Sequence, residues 1–305
     1  MRRSVGLAIG AAAVTGAIAW PAATPAGDGP IAALLVPESA QRAELPPRAD
    51  GSRALRAARG IAALGPRPAG SAAERRAHAR VARAFRRAGL RVAVQPFTVP
   101  GHGRSRNVIG TLDAPRRDCL KIAMAHADTT APGPGANDNA SGVGVVMAIA
   151  ARLRRIAPRC DVWLVATGAE ERIFTGQGDH LGALALARRA RAREAKRRLR
   201  FALSLDEVGR DRPFWLRSPA AAPRPHVERA LLRAGRATGV AVSWVRDEGD
   251  SMSDHREFEL LGLPAAKLGV GAGGEPCRHT ACDTADRLDR HSLALAQRLA
   301  ERALW

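Results

Sequence analysis

Hydrophobic and polar positions follow two rhythms along this chain. Short apolar runs at Val92–Phe97, Asn107–Leu112, Leu120–Ala125, Asp161–Thr167, Phe201–Leu205, Val240–Val245 and Ala265–Leu268 predict strands. Helical patterns fall at Ser71–Gly89, Gly142–Ile156, Gly178–Arg198, His226–Thr238 and Ser292–Leu304. In the first of these, Ala77, Val81, Ala82, Phe85 and Leu90 make an apolar side, and Arg75, Arg76, Arg80, Arg86 and Arg87 the opposite one. Strands alternating with helices predict an α/β fold: three layers, with a mixed, mostly parallel twisted β-sheet covered by helices on both faces. No repeat of 20–50 residues interrupts the pattern. One domain over residues 46–305 is the simplest organisation, preceded by a Pro/Ala-rich lead-in at 27–45.

The first 26 residues differ in kind. Arg2 and Arg3 precede an apolar run from Val5 to Ala19, and small residues follow at Ala17-Ile18-Ala19 and Thr24-Pro25-Ala26. That order is the signature of a secretory signal peptide. The apolar run falls short of the ~20 residues a membrane-spanning helix needs, so no stable span is expected after cleavage. A secreted, extracytoplasmic chain can form disulfides, and there are four Cys. Cys277 and Cys282 could close a small loop around His279, while Cys119 and Cys160 precede two strands and would meet if those strands are parallel neighbours. Four Cys allow three pairings.

The formal charge of +19 falls to +17 once Arg2 and Arg3 leave with the signal peptide. Lys occurs only at positions 121, 196 and 267, so 45 of the 48 basic residues are Arg. GC-rich coding produces that bias without any ligand. The chain has no Tyr and 4% aromatic residues, a poor supply for base stacking, and no specific nucleic-acid partner is expected. The Arg-rich run at Arg188–Arg200 reads as a solvated helix face, although an acidic cell-envelope surface would attract it.

In open α/β sheets, ligand sites form beyond the carboxyl ends of the strands. The predicted strands end next to His126 and Asp128, next to Glu170-Glu171 and next to Asp206. Asp138 precedes a helix, and His279 lies between the last two Cys. So many acids in one pocket would repel one another unless cations were held there. Carboxylate and imidazole donors without thiolates suit zinc, with manganese or cobalt also compatible. The count fits two Zn2+ per chain: His126 and Asp206 on one, Glu171 and His279 on the other, Asp138 shared. Glu170 remains free to act as a base. Paired ions that polarise a carbonyl and activate water imply amide hydrolysis.

These residues resemble the secreted di-zinc aminopeptidases of the phosphorylase/hydrolase-like fold, metallopeptidase clan MH. The matching pieces are Gly65–Ser71, His126-x-Asp128, Gly135–Gly142, Gly168–Glu171, Leu205–Gly209, Ser253-Asp254-His255 and His279-x-x-x-Asp283-Thr284. The resemblance implies the same five metal ligands, Glu170 as general base and Asp128 as the carboxylate that orients His126. It implies peptides with a free amino terminus as substrates; a monomer is expected. Ser253–His255 are expected to support the pocket wall, and Asp283-Thr284 to cap a helix. Related enzymes often carry a Tyr beside the last metal-binding His; here Arg278 holds that position, as a candidate donor to an oxyanion or substrate carboxylate. Alternatives are a glutaminyl-cyclase-like enzyme, which in this fold works with one zinc, a carboxypeptidase-like enzyme, or an inert polyanion-binding secreted protein.

Overall fold

The computed structural model describes residues 48–305 apart from 116–117, 154, 156–157, 194–197, 211–213, 220–223, 248–252 and 271–273. The signal peptide expected over 1–26 and the lead-in over 27–45 lie outside them.

Eight strands form one sheet in the order β1-β2-β4-β3-β5-β8-β6-β7. They are β1 (Arg91–Val99), β2 (Gly103–Leu112), β3 (Cys119–His126), β4 (Asp161–Thr167), β5 (Arg198–Leu205), β6 (Phe214–Pro219), β7 (Val242–Asp247) and β8 (Ala265–Gly269). The four central strands β4, β3, β5 and β8 are parallel; β1, β2 and the β6–β8 junction are antiparallel. Every residue of β4 is buried, which explains why it reads as an unbroken apolar run.

Successive residues of the central strands face opposite layers. Ile122, Met124, Trp163 and Val165 share a core with Leu186 of α5 (Leu181–Arg191) and Phe258 of α7 (His255–Leu260). Ala123, Ala125, Val162 and Leu164 belong to a larger core on the other side. That side is covered by α1 (Ser52–Ala62), α2 (Ala72–Arg87), α3 (Gly142–Leu153), α6 (Pro225–Thr238) and α8 (Arg290–Leu304). The expected three-layer arrangement is therefore present.

Helix α2 opens with Ser71 accepting the amide of Glu74 at 3.0 Å, while the Glu74 carboxylate accepts that of Gly70 at 2.8 Å. Helix α3 starts hard against the end of β5: a Cβ on Gly142 would come within 2.1 Å of the Leu205 carbonyl oxygen. This contact brings the loop before α3 beside Asp206.

Both disulfides form as the spacing suggested, Cys119–Cys160 at the starts of the parallel neighbours β3 and β4, and Cys277–Cys282 around His279. One expectation needs correction. The Arg-rich run is not a single helix face, because α5 ends at Arg191 and Arg198–Arg200 belong to β5. Its Arg189 and Arg193 guanidinium groups lie 5.8 and 5.4 Å from the Trp163 ring centroid, within cation–π range of a buried indole.

Candidate metal centre

Three strand ends, one loop and one disulfide ring build the site. His126 is the last residue of β3. Beyond β4, Ala169 takes a left-handed conformation (φ 52°) and turns Glu170 and Glu171 inward, Glu171 standing just before α4 (Arg172–Thr175). Asp206 follows β5, and the next residue, Glu207, is again left-handed (φ 58°). Asp138 lies in an irregular π-helical turn, Ala136–Ser141, that leads into α3. His279 is itself left-handed (φ 59°) and about a third exposed, which marks the open side. Three non-glycine residues in this uncommon region, all at one site, are what a functional constraint leaves behind.

The sequence-predicted residues converge. His126 Nε2 lies 3.2 Å from Asp138 Oδ1 and 3.4 Å from Asp206 Oδ1. His279 Nε2 lies 3.2 Å from Asp138 Oδ2 and 3.0 Å from Glu171 Oε2. The two oxygens of Asp138 thus face different histidines. His126, Asp138 and Glu171 form one group whose donor atoms fall within 4.8 Å of one another, and His126, Glu170 and Asp206 form another. All four Cys are tied in disulfides, so the donor set is nitrogen and oxygen only.

Residues 107–304 match the family described as Peptidase family M28. The chain belongs to that family. The leupeptin-inactivating enzyme 1 of Streptomyces exfoliatus is 26% identical over 243 residues, 72% of this chain; the chain spans 52% of that relative's length. Among solved structures, the zinc aminopeptidase BSAP from Bacillus subtilis superposes with a TM-score of 0.74 at 18% identity, covering 83% of this chain and 94% of the other. The glutaminyl cyclase of Fimbriiglobus ruber gives 0.74 at 20% identity, covering 84% and 94%. At such identities these two likenesses speak to the fold.

The electrostatics of this M28 site suit cations. Against the cost of burial, the carboxylates of Glu170, Asp138 and Asp206 push the His126 imidazole well above its usual pKa. Burial raises Glu170 well above the carboxylate range, and the charges of Glu171 and Asp206 add to this against the attraction of His126. Burial and the charge of Asp138 lift Glu171 to about 7. Asp138, despite its burial, falls to about 2 because both histidines donate to it. Carboxylates crowded enough to retain protons at neutral pH are what a divalent cation relieves, so the donors fit zinc.

Asp128 reaches the site through both its carboxylate and its main chain. Its Oδ2 accepts the amides of Glu170 and Glu171 at 2.9 and 3.1 Å. The His126 ring instead places Nδ1 at 3.3 Å from the Asp128 carbonyl, with the carboxylate 3.8 Å away. A ring that donates from Nδ1 leaves its Nε2 lone pair for a metal. Asp283 does not cap the turn that follows it, Ala285–Arg287; its carboxylate accepts the first-turn amides of Asn137 and Asp138 at 2.7 and 2.9 Å and so fixes the Asp138 turn. Arg278 donates to both oxygens of Glu207, from Nε at 2.6 Å and Nη2 at 2.5 Å. Asp254 accepts from Thr167 at 2.6 Å and Ser253 pairs with Ser204 at 3.1 Å, both buried beneath the site, as expected for a supporting wall.

Arg67, His180, Glu257 and Lys267 were given no individual role in the sequence. Arg67, fully buried, donates from Nε to Ala127 O at 2.8 Å and from its two terminal nitrogens to the carbonyls of Gly65, Pro134 and Gly135. His180 places Nε2 3.6 Å from Glu170 Oε1, and its Nδ1 lies 2.9 Å from Glu257. Lys267 places Nζ 2.7 Å from Asp206 Oδ2. None of these stands just past a strand end, the signal that pointed to His126, Glu171 and Asp206.

Proposed function

We propose that this chain is a secreted, zinc-dependent exopeptidase that releases residues from the amino terminus of peptides. The carrying observation is Asp138, with one oxygen 3.2 Å from His126 and the other 3.2 Å from His279. A carboxylate shared between two half-sites is how proteins pair divalent cations. In this reading His126 and Asp206 hold one zinc, Glu171 and His279 the other, and Asp138 belongs to both. Zinc so held supplies Lewis acidity toward the scissile carbonyl and makes water a stronger acid.

Glu170 is the general base, taking the proton of the attacking water and delivering it to the leaving amine. Asp128 keeps Glu170 and Glu171 aimed by gripping both backbone amides. Uncompensated carboxylates attract the free ammonium group of the substrate. Arg278, held by Glu207 beside His279, is assigned to donate to the developing oxyanion or a substrate carboxylate. Two disulfides suit an oxidising, extracytoplasmic setting.

The test is hydrolysis of aminoacyl-nitroanilides by the full chain, across several amino-terminal residues, with and without chelator. Activity should vanish with chelator and return with zinc, and Glu170→Gln should lower kcat by roughly 10²–10⁴-fold. Chelator-resistant hydrolysis would overturn the reading. The cyclase alternative gains some weight from Lys267, which occupies one oxygen of Asp206. Peptides with amino-terminal glutamine separate the two, since cyclisation releases ammonia and leaves the peptide bond intact.

A further inference from the structure

Four arginines from three stretches of chain line a cavity of about 280 Å³: Arg48 shortly before α1, Arg152 in α3, and Arg298 and Arg302 one turn apart on α8. Ala49, Ala237 and Trp305 supply apolar lining. Next to Arg302, the Ala303 carbonyl accepts Lys121 Nζ at 2.7 Å. Lys121 stands near the start of β3, whereas His126 ends that strand. Five residues at ~3.3 Å each separate the two by about 16 Å. The cavity therefore belongs to the end of the sheet opposite the metal centre.

Contacts within the chain use only part of this charge. Arg152 pairs through Nε with Glu301 Oε1 at 2.8 Å, and Arg298 donates from Nε to the Ala49 carbonyl at 2.7 Å. Arg48 and Arg302 are exposed, and among the described residues neither makes a hydrogen bond or an ion pair. Cations often gather at helix ends to satisfy the last carbonyls. Here other groups do so. In α6, Thr238 Oγ1 donates to the Ala234 and Gly235 carbonyls at 2.8 and 3.1 Å, and the Val240 amide donates to Gly235 at 3.0 Å. In α8, Lys121 serves Ala303. Capping does not account for Arg48 and Arg302. Their surroundings feel the excess: burial lowers Lys121 to about 8, and the charges of Arg159, Arg200 and Arg302 push the same way.

The geometry points to an anion site in this cavity, which takes a phosphate monoester through Arg48 and Arg302 and packs the ester's apolar part on Trp305. A phosphate monoester carries roughly −1.5 to −2 at neutral pH, the charge that two guanidinium groups match. Each planar fork also suits a pair of phosphate oxygens. A carboxylate, with a single charge, would leave one arginine unmatched. The monoester is either a small free molecule or the headgroup of a lipid. The site uses none of the metal-centre residues, so it stands whether or not the zinc-peptidase reading does.

Calorimetric titration of glycerol phosphate into the full chain tests this. Wild type should bind saturably, with affinity falling as salt rises. The pair Arg48→Ala and Arg302→Ala should weaken binding by about tenfold or more. The pair Arg83→Ala and Arg87→Ala removes the same charge from exposed positions of α2 and should leave binding unchanged. All four side chains are exposed, so both double variants should unfold in denaturant as wild type does. Sedimentation with phosphatidate vesicles, and not with phosphatidylcholine vesicles, would identify a lipid headgroup as the source, provided the first pair abolishes it. Equal losses in the two pairs, no loss in the first, or no saturable binding of either probe would overturn the inference. Phosphate held at the metal centre instead would survive the first pair, and so counts against it.

Discussion

Glu257 Oε1 lies 2.9 Å from Nδ1 of His180, whose Nε2 is 3.6 Å from Oε1 of Glu170. The His180 backbone amide also donates to Glu257 Oε1 at 3.1 Å, and Arg256 Nη1 donates to the same oxygen at 2.8 Å. Glu257 thus fixes the ring, and the ring braces the carboxylate assigned as base. His180→Ala should lower kcat on aminoacyl-nitroanilides by roughly tenfold to a hundredfold with KM little changed. Glu257→Gln, which keeps one acceptor oxygen, should fall between. A rise in KM at constant kcat would show that His180 shapes a binding pocket instead.

The two disulfides should separate stability from metal binding. Cys119–Cys160 closes a loop of 41 residues at the far end of β3 and β4, and removing it should cost about 4 kcal/mol on the chain-entropy scale while sparing kcat. Cys277–Cys282 closes only 5 residues, so its removal costs about 2 kcal/mol, yet it encloses the left-handed His279. Denaturant unfolding and zinc titration of the two double-Ser variants read both effects. Equal zinc affinity in the two variants would deny the smaller ring any part in positioning His279.

His78 supplies a pH dependence away from the metal. Its ring is buried, with Nε2 3.2 Å from the Thr167 carbonyl, and burial lowers its pKa from 6.5 to about 4. Between those values the unfolded chain binds a proton that the folded chain refuses. Stability contributed by His78 is therefore complete above pH 6.5 and lost as pH falls toward 4, by about 3 kcal/mol in all. Glu74, one turn earlier, has the opposite linkage: burial and the charge of Asp128 lift it to about 8, so it destabilises as pH rises from 4.5. Urea unfolding of metal-stripped wild type and His78→Gln at several pH values isolates the histidine. Parallel curves between pH 6.5 and 4.5 would refute the assignment.

Residues at strand ends were legible because an apolar run of fixed length announces where the chain must turn, and polar residues stranded there need a reason. That is how His126, Glu171 and Asp206 came to light. Lys267 was not legible, because it interrupts Ala265–Leu268 at a position where one polar residue is ordinary in a strand. Asp283 was misread because a carboxylate before a helical turn and one reaching back across 145 residues to Asp138 look alike in sequence. Helix α7 is only six residues, under two turns, too short for a helical rhythm to register.

Arg67 carries a last consequence. One guanidinium grips main-chain carbonyls from three separate stretches, at Gly65, Ala127 and Pro134-Gly135. These three stretches are thus clamped through their peptide groups, independent of what their side chains are. Those side chains can be exchanged without loosening the frame, whereas Arg67→Lys, with one short cation in place of a fork, would unfasten several loops at once.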